Sequence, residues 1–432
     1  MYLKDLAHTS FNSSETQISA ASINRLAPLW TAEPGGLFAA APTISGGVVY
    51  IGDWDGNFHA IEAASGKVLW TTYVGMSAPP ARDDCQPAIG VTSQATVDAT
   101  AVYVGGGDSA VYALDRRTGA VLWREQLADP QSGSYIWSSI MLDNGSLYLG
   151  VASLGDCPLV RGQLVRIDLK HPGRRLVRWL APAGQVGGGI WSTPAIDTST
   201  NRIFITTGTG DQDPDSGLFG GTFAAFDADT LEMQAYFLLP SNSNDEDIEW
   251  GSSPALFSTS TGTPMVAATG KDGVIYALAR DRLELVWSLP LAIGCGWPEL
   301  GCGSLSTPAF DGSTLYVGAG APDPYGTAVG SVYALNPDDG SIYWQQALEG
   351  VVIAPVTVAN QLVYVGTTAG LYVFDAGSGQ LLWQDHTGTL YSQPVVSGGV
   401  LYCSFLEGDL VAWHVSGGVA SAGVASPAPG RR

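Results

Sequence analysis

The sequence has few basic residues and no long apolar run. Its 19 Lys and Arg stand against 40 Asp and Glu, which gives a formal net charge of −21. Such a charge argues against nucleic acid and anionic membrane surfaces as partners. No apolar run approaches the length of a membrane-spanning helix, so we expect no membrane span. Met1–Ser10 also lacks the apolar region of a secretory signal peptide.

Histidine and cysteine are scarce as well. The 5 His are scattered, and neither a Ser/His/Asp order nor a zinc-ligand spacing is present. Among the 5 Cys, Cys295 and Cys302 share one Gly/Pro-containing loop, GCGWPELGCG, and are close enough for a local disulfide. This cysteine usage indicates an oxidising compartment, so we expect an exported protein, periplasmic or extracellular.

The main feature of the sequence is a repeat. Thr43–Trp70 reads as a series of short strands separated by Asp/Gly and Ser-Gly turns. Similar stretches return at 91–123, 135–179, 190–236, 250–287, 304–344, 351–383 and 390–414. Self-similarity at roughly 40–55 residues with four strands per unit is typical of a β-propeller.

The last repeat, 390–414, stops after its third strand, and Arg25–Thr31 can supply the fourth. The sequence therefore predicts an all-β fold: an eight-bladed β-propeller with four-stranded antiparallel blades. Its ring is closed by an N-terminal strand that completes the C-terminal blade, which protects the sheet edges. We expect residues 1–22 to be an N-terminal extension that packs on the propeller and residues 23–415 to form the propeller. Residues 416–432, rich in Gly, Ala, Ser and Pro, should be a disordered tail.

Each repeat carries a large aromatic residue near its outer strand, and we interpret these rings as packing between neighbouring blades. They are Trp30, Trp70, Trp123, Trp179, Tyr236, Trp287, Trp344 and Trp383.

One face of the predicted propeller has the longer loops. The connections between second and third strands are long at Val151–Gly162, Thr207–Gly221 and Ala319–Gly330, and binding tends to reside on long loops of a rigid scaffold. Cys85 and Cys157 fall in loops on this face, whereas Cys403 falls in a strand and reads as a buried thiol. Acidic residues are also concentrated here. They suit a divalent cation, or alternatively they only keep the protein soluble.

Large aromatic residues precede several inner strands. Trp137, Trp191 and Tyr391 occupy equivalent positions and either form the floor for a flat ligand or plug the channel. Lys271, in TGKDG, either contacts a ligand or pairs with the neighbouring carboxylates.

The phrase VYALDRRTGAVLW at 111–123 and the opening segment AHTSFNSSETQISAASINRLAPLW at 7–30 resemble the quinoprotein dehydrogenases that bind pyrroloquinoline quinone (PQQ). Within them the chain is most similar to the polyvinyl-alcohol-dehydrogenase-like group. The resemblance covers nearly the whole chain and implies the eight-bladed fold, PQQ and calcium as cofactors, and oxidation of an alcohol. Relatives that share the repeat without binding a quinone include the propeller lipoprotein of outer-membrane protein assembly.

The resemblance also implies roles for single residues. Trp191 in GGGIWSTP would stack on PQQ, and Lys271 in GKDG would lie near the quinone carbonyls. Calcium would be held by Asp156 in LGDCPLVRG, by Thr209 in TGTGD and by Glu249 in DIEWGSSP. The catalytic residues would be Glu249 and Asp247, and the further cofactor-binding residues would be Arg82, Ser153 and Trp137.

Three features depart from the family pattern. Thr209 stands where the family has Asn, Glu249 stands where it has Asp, and the adjacent Cys-Cys pair of many relatives is absent. A C-x-x-C-H haem site is also absent, so electrons would pass to an external acceptor such as a cytochrome. Two functions therefore stay open: oxidation of a small or polymeric alcohol, or a non-enzymatic scaffold whose acidic mouth binds a protein, peptide or glycan.

Overall fold

The structure is a computed structural model that describes residues 1–80, 85–171, 173–243, 246–323 and 326–416. Within these residues, eight antiparallel sheets of four blade strands follow one another along the chain. We name the strands A to D from the centre outwards, because A strands of consecutive blades contact one another while D strands alternate between exposed and half-buried residues. The predicted eight-bladed propeller is confirmed.

The strands A to D of the first four blades have the following bounds. They are Thr43–Ser45, Val48–Gly52, Asn57–Glu62 and Val68–Tyr73 in blade one; Thr96–Val97, Ala101–Gly105, Ala110–Asp115 and Val121–Gln126 in blade two; Met141–Asp143, Ser146–Ser153, Gln163–Asp168 and Arg175–Trp179 in blade three; and Ala195–Asp197, Arg202–Thr206, Thr222–Asp227 and Met233–Leu238 in blade four.

The other four blades repeat the pattern. Their strands are Ala255–Ser258, Pro264–Thr269, Val274–Ala279 and Leu285–Pro290 in blade five; Ala309–Phe310, Leu315–Gly320, Gly330–Leu335 and Ile342–Leu348 in blade six; Thr357–Ala359, Leu362–Thr367, Gly370–Asp375 and Leu381–Asp385 in blade seven; and Val395–Ser397, Val400–Ser404, Leu410–Val415 and Leu26–Ala32 in blade eight.

Short elements lie outside this scheme. The short strands are Phe11–Asn12, parallel to strand A of blade seven, Ser134–Tyr135 on blade three, and the hairpin of Gln212–Asp213 with Leu218–Phe219. The 3₁₀ turns are Ile23–Arg25, Pro130–Ser132, Pro214–Ser216 and Pro298–Leu300. Within the residues described, no helix is long and apolar enough to cross a membrane.

The ring closes as the sequence predicts. Strand Leu26–Ala32 pairs antiparallel with Leu410–Val415, so the chain's first long strand is the outer strand of its last blade. Because closure joins segments that are far apart in sequence, it fixes the first and last blades to each other.

Four of the outer aromatic residues bind neighbouring blades through a ring, a glycine and a hydrogen bond. The Trp70 indole nitrogen donates to the Arg116 carbonyl at 3.3 Å, and the ring packs on Gly119, where a Cβ would lie 2.6 Å away. Gly119 has φ +73°, so glycine suits both the turn and the ring. The same arrangement joins Trp30 to Gly66, Trp287 to Gly340 and Trp344 to Gly379.

Hydroxyl groups tie the inner strands together. The Thr193 backbone N–H donates to Ser253 Oγ at 2.9 Å, and the Ser253 N–H donates to Thr307 Oγ1 at 3.1 Å. Equivalent bonds join Gln94 to Ser139 and Ser139 to Thr193. The residue that follows a serine just before each of these strands thus links one blade to the next.

The N-terminal segment crosses the inner strands of several blades. The carbonyls of Leu6, Ala7, Thr9 and Ser10 accept hydrogen bonds from the backbone N–H groups of Ile196, Leu256, Phe310 and Val358, which belong to blades four to seven in order. At the other end, the Ser416 N–H donates to the Arg25 carbonyl at 2.9 Å. The remainder of the predicted tail, 417–432, lies outside the described residues.

Candidate functional site

The loops on one face bring five predicted residues together. Glu249 and Asp247 precede strand A of blade five, and Lys271 lies in the tight turn between its strands B and C. Thr209 and Asp156 come from the long B–C loops of blades four and three. Three neighbouring blades therefore contribute to one cluster, which we call the acid cluster.

Three carboxylates form its centre. Asp156, Asp247 and Glu249 each place an oxygen within 4.8 Å of the others. Asp156 is exposed, Asp247 is half-buried and Glu249 is buried, so the cluster runs inward from the protein surface. Asp156 and Asp247 have φ values of +56° and +53°, a left-handed conformation that is uncommon for residues with a side chain.

Lys271 forms ion pairs with two of these carboxylates. Its Nζ lies 2.8 Å from Asp247 Oδ2 and 2.9 Å from Glu249 Oε1. Its backbone N–H also donates to the Glu249 carbonyl at 2.8 Å, which fixes the two residues relative to each other. The ion-pair interpretation of Lys271 is confirmed, and its contact with a cofactor stays a prediction.

Thr209 joins the same group through its hydroxyl. Thr209 Oγ1 lies 2.8 Å from Glu249 Oε2 and 3.0 Å from Asp247 Oδ1, in donor geometry to both. The shorter side chain at this departure from the family pattern therefore still reaches both carboxylates.

The surroundings of Glu249 change its acidity. Burial raises the pKa of Glu249 to about 7, while the positive charge of Lys271 opposes the shift and the negative charges of Asp247 and Asp156 add to it. The pKa of Lys271 is raised: burial would lower it, but Glu249 and Asp247 outweigh that effect. Near neutral pH, Glu249 can therefore hold or release a proton while Lys271 stays charged.

Trp191 lies against the acid cluster across a bare glycine. A Cβ at Gly208 would lie 2.6 Å from Glu249 Oε2 and 3.0 Å from Cδ1 and Nε1 of the Trp191 indole. The indole and the carboxylate thus approach the same backbone position, and any side chain there would occupy the space between them.

Two further predicted residues lie at the base of the blade-three loop. The Trp137 indole nitrogen donates to the Ser153 carbonyl at 2.9 Å, and Ser153 Oγ accepts from the Val160 N–H at 3.0 Å. Trp137 also packs edge-on against Tyr135. These contacts support the loop that carries Asp156, and the predicted cofactor contacts of Trp137 and Ser153 stay predictions. Arg82 lies outside the described residues.

Trp250 has a different environment from Trp191. Its ring is fully buried between Phe223 and Tyr276, and its indole nitrogen donates to the Gly221 carbonyl at 3.0 Å. It therefore belongs to the core between blades four and five.

Two disulfides flank the acid cluster. Cys157, bonded to Cys85, directly follows Asp156. Cys295 is bonded to Cys302, and in the loop between them Gly296 packs so closely on Asp247 that a Cβ would lie 2.9 Å from the Asp247 Cβ. The predicted local disulfide Cys295–Cys302 is confirmed, as is the buried free thiol of Cys403, and the bond between Cys85 and Cys157 is a second disulfide. The sequence shows that Cys157 follows Asp156, but it does not show that the loop closed by Cys295 and Cys302 packs against Asp247.

The residues present fit a hard metal ion. Carboxylate and hydroxyl oxygens are the ligands that calcium prefers, and Asp156, Asp247, Glu249 and Thr209 supply them within one cluster. The groups that a flat quinone would contact are also present, because the Trp191 indole and the Lys271 ammonium both lie beside the Glu249 carboxylate.

The chain matches one protein-family model, described as outer membrane protein assembly factor BamB, over residues 9–194 and 271–430. Thr209, Asp247 and Glu249 lie between these two stretches. The match therefore supports the propeller more directly than it supports the acid cluster.

Curated relatives include dehydrogenases. A polyvinylalcohol dehydrogenase from Pseudomonas sp is 23% identical over 424 residues, which cover 86% of this chain and 64% of that protein. The aligned region thus covers slightly less than two thirds of the length of that dehydrogenase. A quinoprotein ethanol dehydrogenase from Pseudomonas aeruginosa is 24% identical over 510 residues, covering 88% of this chain and 80% of that protein.

Solved structures show the same fold. A europium-containing methanol dehydrogenase aligns with a TM-score of 0.77 and 16% identity, covering 93% of this chain and 88% of its own. BamB from Moraxella catarrhalis aligns with a TM-score of 0.52 and 16% identity, covering 88% and 86% of the two chains. At such identities the likeness concerns the fold alone.

Proposed function

The chain belongs to the family described as outer membrane protein assembly factor BamB, and we propose that it oxidises an alcohol to a carbonyl compound with PQQ and calcium at the acid cluster. The observation that carries this proposal is the convergence of Asp156, Thr209, Glu249 and Lys271 from three blades, beside Trp191. Relatives named quinoprotein ethanol dehydrogenase and 1-butanol dehydrogenase (quinone) support the reaction class.

Glu249 is the proposed base. A bound PQQ would supply the hydride acceptor, and a calcium ion held by Asp156, Thr209 and Glu249 would supply Lewis-acid stabilisation of negative charge. The alcohol's hydroxyl proton would pass to a Glu249 carboxylate oxygen, which calcium would keep ionised at neutral pH and so able to accept it. Asp247, whose oxygen shares the Lys271 Nζ with Glu249, is the alternative base.

The remaining residues position these groups. Lys271 holds both carboxylates at 2.8–2.9 Å and would keep a positive charge near a bound quinone. Trp191 would fix the plane of its ring system, and Asp156, Thr209 and Glu249 would hold the metal. Arg82, Ser153 and Trp137 are proposed as further contacts to the cofactor.

The substrate is proposed to be a small or polymeric alcohol, and the electron acceptor an external protein such as a cytochrome. The two disulfides suit a periplasmic or extracellular location, where such bonds persist.

The test is to load the purified protein with PQQ and calcium, separate it by gel filtration, and follow quinone absorbance and alcohol-dependent dye reduction. Retained quinone and turnover are expected, with turnover reduced about a thousandfold or more in Glu249→Gln, because the base is lost while the shape is kept. Glu246→Gln is the matched control, since it removes the same charge from an exposed residue of the same loop. Equal turnover in both variants would exclude Glu249 as the base.

A second candidate is a non-enzymatic scaffold whose acidic mouth binds a protein, peptide or glycan. The description of the matching family and the BamB structure favour it. Absence of quinone retention at any metal concentration, together with binding of a partner that acid-cluster variants abolish, would support this function instead.

A further inference from the structure

The turn that carries Lys271 is braced by the residue that follows it, Asp272. The Asp272 Oδ1 atom accepts the backbone N–H of Val274 at 3.1 Å, so the carboxylate folds back over its own turn. Gly270 makes this possible, because a Cβ there would lie 2.3 Å from Asp272 Oδ1. The Asp272 carboxylate is therefore part of the turn from which the Lys271 side chain leaves.

A buried phenol holds the second oxygen of Asp272. The Tyr276 hydroxyl donates to Asp272 Oδ2 at 2.6 Å, and Tyr276 is 6% exposed. The Tyr276 ring packs edge-on against Trp250, with ring centroids 5.4 Å apart, and Trp250 directly follows Glu249 in the chain. A hydrogen bond to a charged carboxylate is stronger than one between neutral groups. The carboxylate is thus fixed to the core between blades four and five.

The same oxygen also binds the linker between blades four and five. The Ser241 hydroxyl donates to Asp272 Oδ2, and Ser241 lies two residues before Ser243. The backbones of Ser243 and Ile248 exchange hydrogen bonds of 3.1 and 2.8 Å. Ile248 separates the two carboxylate residues that this linker contributes to the acid cluster. Asp272 therefore connects the turn that carries the lysine to the linker that carries the lysine's two partners.

Blade two has the same brace in a turn that lies outside the acid cluster. Asp108 Oδ2 accepts the Tyr112 hydroxyl at 2.8 Å, and Asp108 Oδ1 accepts the Ala110 N–H at 3.3 Å. Tyr112 is 7% exposed, nearly the same as Tyr276. The third donor differs, because Arg124 takes the place of the linker serine. The Asp-x-x-x-Tyr brace therefore recurs in two blades, and in blade five its turn supplies a member of the acid cluster.

The position of the Lys271 ammonium is costly to maintain without such support. A lysine side chain has a long flexible stem, and holding it in one geometry costs conformational entropy. The ammonium nevertheless lies 2.8 Å from Asp247 Oδ2 and 2.9 Å from Glu249 Oε1. A turn that is fixed at its base limits the directions in which the side chain can leave. The brace therefore favours the geometry in which both ion pairs form.

We propose that Asp272, held by the Tyr276 hydroxyl, is a positioning residue that keeps the Lys271 ammonium between the two carboxylates of the linker. Asp272 acts through Lys271, and Tyr276 acts through Asp272. A role of this ammonium in alcohol oxidation rests on the proposed function, whereas the positioning itself does not.

The test compares the acetylation rates of single lysines in the protein without metal or PQQ. The chain has four lysines, and the exposed Lys67 and Lys170 serve as internal references for Lys271. The protein is treated with a dilute N-hydroxysuccinimide ester of acetic acid, and mass spectrometry of its peptides gives each rate. We expect Tyr276→Phe to raise the Lys271 rate about tenfold, since a hydrogen bond to a carboxylate is lost while the ring stays. Ser241→Ala should raise it less, because water can replace an exposed hydroxyl.

Tyr112→Phe is the matched control, because it removes the same hydrogen bond from blade two and should leave the Lys271 rate unchanged. Adding Tyr276→Phe to Asp272→Asn should have no further effect, since the phenol acts through the carboxylate. Equal Lys271 rates in Tyr276→Phe and Tyr112→Phe, or an equal rise at Lys67, would overturn the proposal. If Lys271 responds as expected but the unchanged protein oxidises no alcohol, the positioning role is supported and the dehydrogenase proposal alone fails.

Discussion

Calcium binding to the acid cluster should release a proton from Glu249. Burial raises the pKa of this carboxyl to about 7, Lys271 opposes the shift, and Asp247 and Asp156 add to it. Since a metal ion binds the ionised carboxylate, a protonated Glu249 must lose its proton on binding. The metal-free protein and its calcium complex therefore differ in the number of bound protons, and this difference can be measured.

The magnitude follows from this pKa. At pH 6 about nine tenths of Glu249 is protonated, and at pH 8 about one tenth, so proton release should fall from about 0.9 to about 0.1 per calcium ion. The apparent affinity should rise nearly tenfold per pH unit below about pH 7 and level off above it.

The metal-free protein should show the matching dependence of stability on pH. The pKa of Glu249 is higher in the folded protein than its ordinary value of 4.5, so the folded state binds more protons between these values. Its contribution to the free energy of unfolding is fully present below about pH 4.5 and decreases as the pH rises toward about 7 and beyond. Saturating calcium should remove the part of this decrease that belongs to Glu249.

The measurement is isothermal titration of calcium in two buffers with different ionisation enthalpies, at pH 6 and pH 8. Glu249→Gln should bind calcium more weakly and release no proton at pH 6, while Glu246→Gln should behave like the unchanged protein. The reasoning is refuted if proton release is the same at pH 6 and pH 8, or if it persists in Glu249→Gln. A protein that binds no calcium at either pH would refute the metal site itself.

Two more predictions concern the scaffold. Cys157→Ser should weaken calcium binding about tenfold, because the lost disulfide frees the loop that holds Asp156; an unchanged affinity in a calcium titration would contradict that role. Gly119→Ala should lower the free energy of unfolding by about 1–3 kcal/mol more than Gly262→Ala does, because both glycines have positive φ but only Gly119 meets a ring, that of Trp70. Urea denaturation measures the free energy of unfolding of both glycine variants. Equal losses would show that the Trp70 ring moves aside without cost.

The repeat made the fold predictable, because the strands of each blade can be identified from that blade's own residues. Alternating apolar residues and Asp/Gly turns define strands within a few residues, and the missing strand after 414 points to Leu26–Ala32. The prediction did not extend to the carbonyls of Leu6 and Ala7, which bind strands in blades four and five. Such backbone contacts require no particular side chain, so they leave no pattern in the sequence.

The acid cluster was predictable only in part. Resemblance to quinoproteins pointed to Glu249, Lys271 and Asp156, and the loop order of the blades placed them on one face. That Lys271 pairs with both Asp247 and Glu249 depends on distances of 2.8–2.9 Å between side chains of separate loops. Periodicity within a strand carries no information about those distances.

In the loop that carries Trp297, the covalent bond was predictable but the exposed surface was not. Its disulfide could be predicted from the spacing of Cys295 and Cys302, yet nothing in that spacing says that an indole will be 62% exposed. Exposure depends on which neighbouring residues fail to cover the ring, and the spacing of two cysteines does not specify those neighbours.

The proton on Glu249 connects the two candidate functions. Three carboxylate oxygens within 4.8 Å repel one another, and burial makes the charge on Glu249 more costly. Lys271 offsets one negative charge, and a proton on Glu249 offsets a second, so the metal-free cluster is stable without any cofactor. A scaffold protein needs no metal ion there, so Glu249 could stay partly protonated at neutral pH. A dehydrogenase must exchange the proton for a metal ion while Lys271 stays in place, because the pKa of Lys271 is raised. The loss of one proton, rather than the presence of the carboxylates, is therefore the property that separates the two functions.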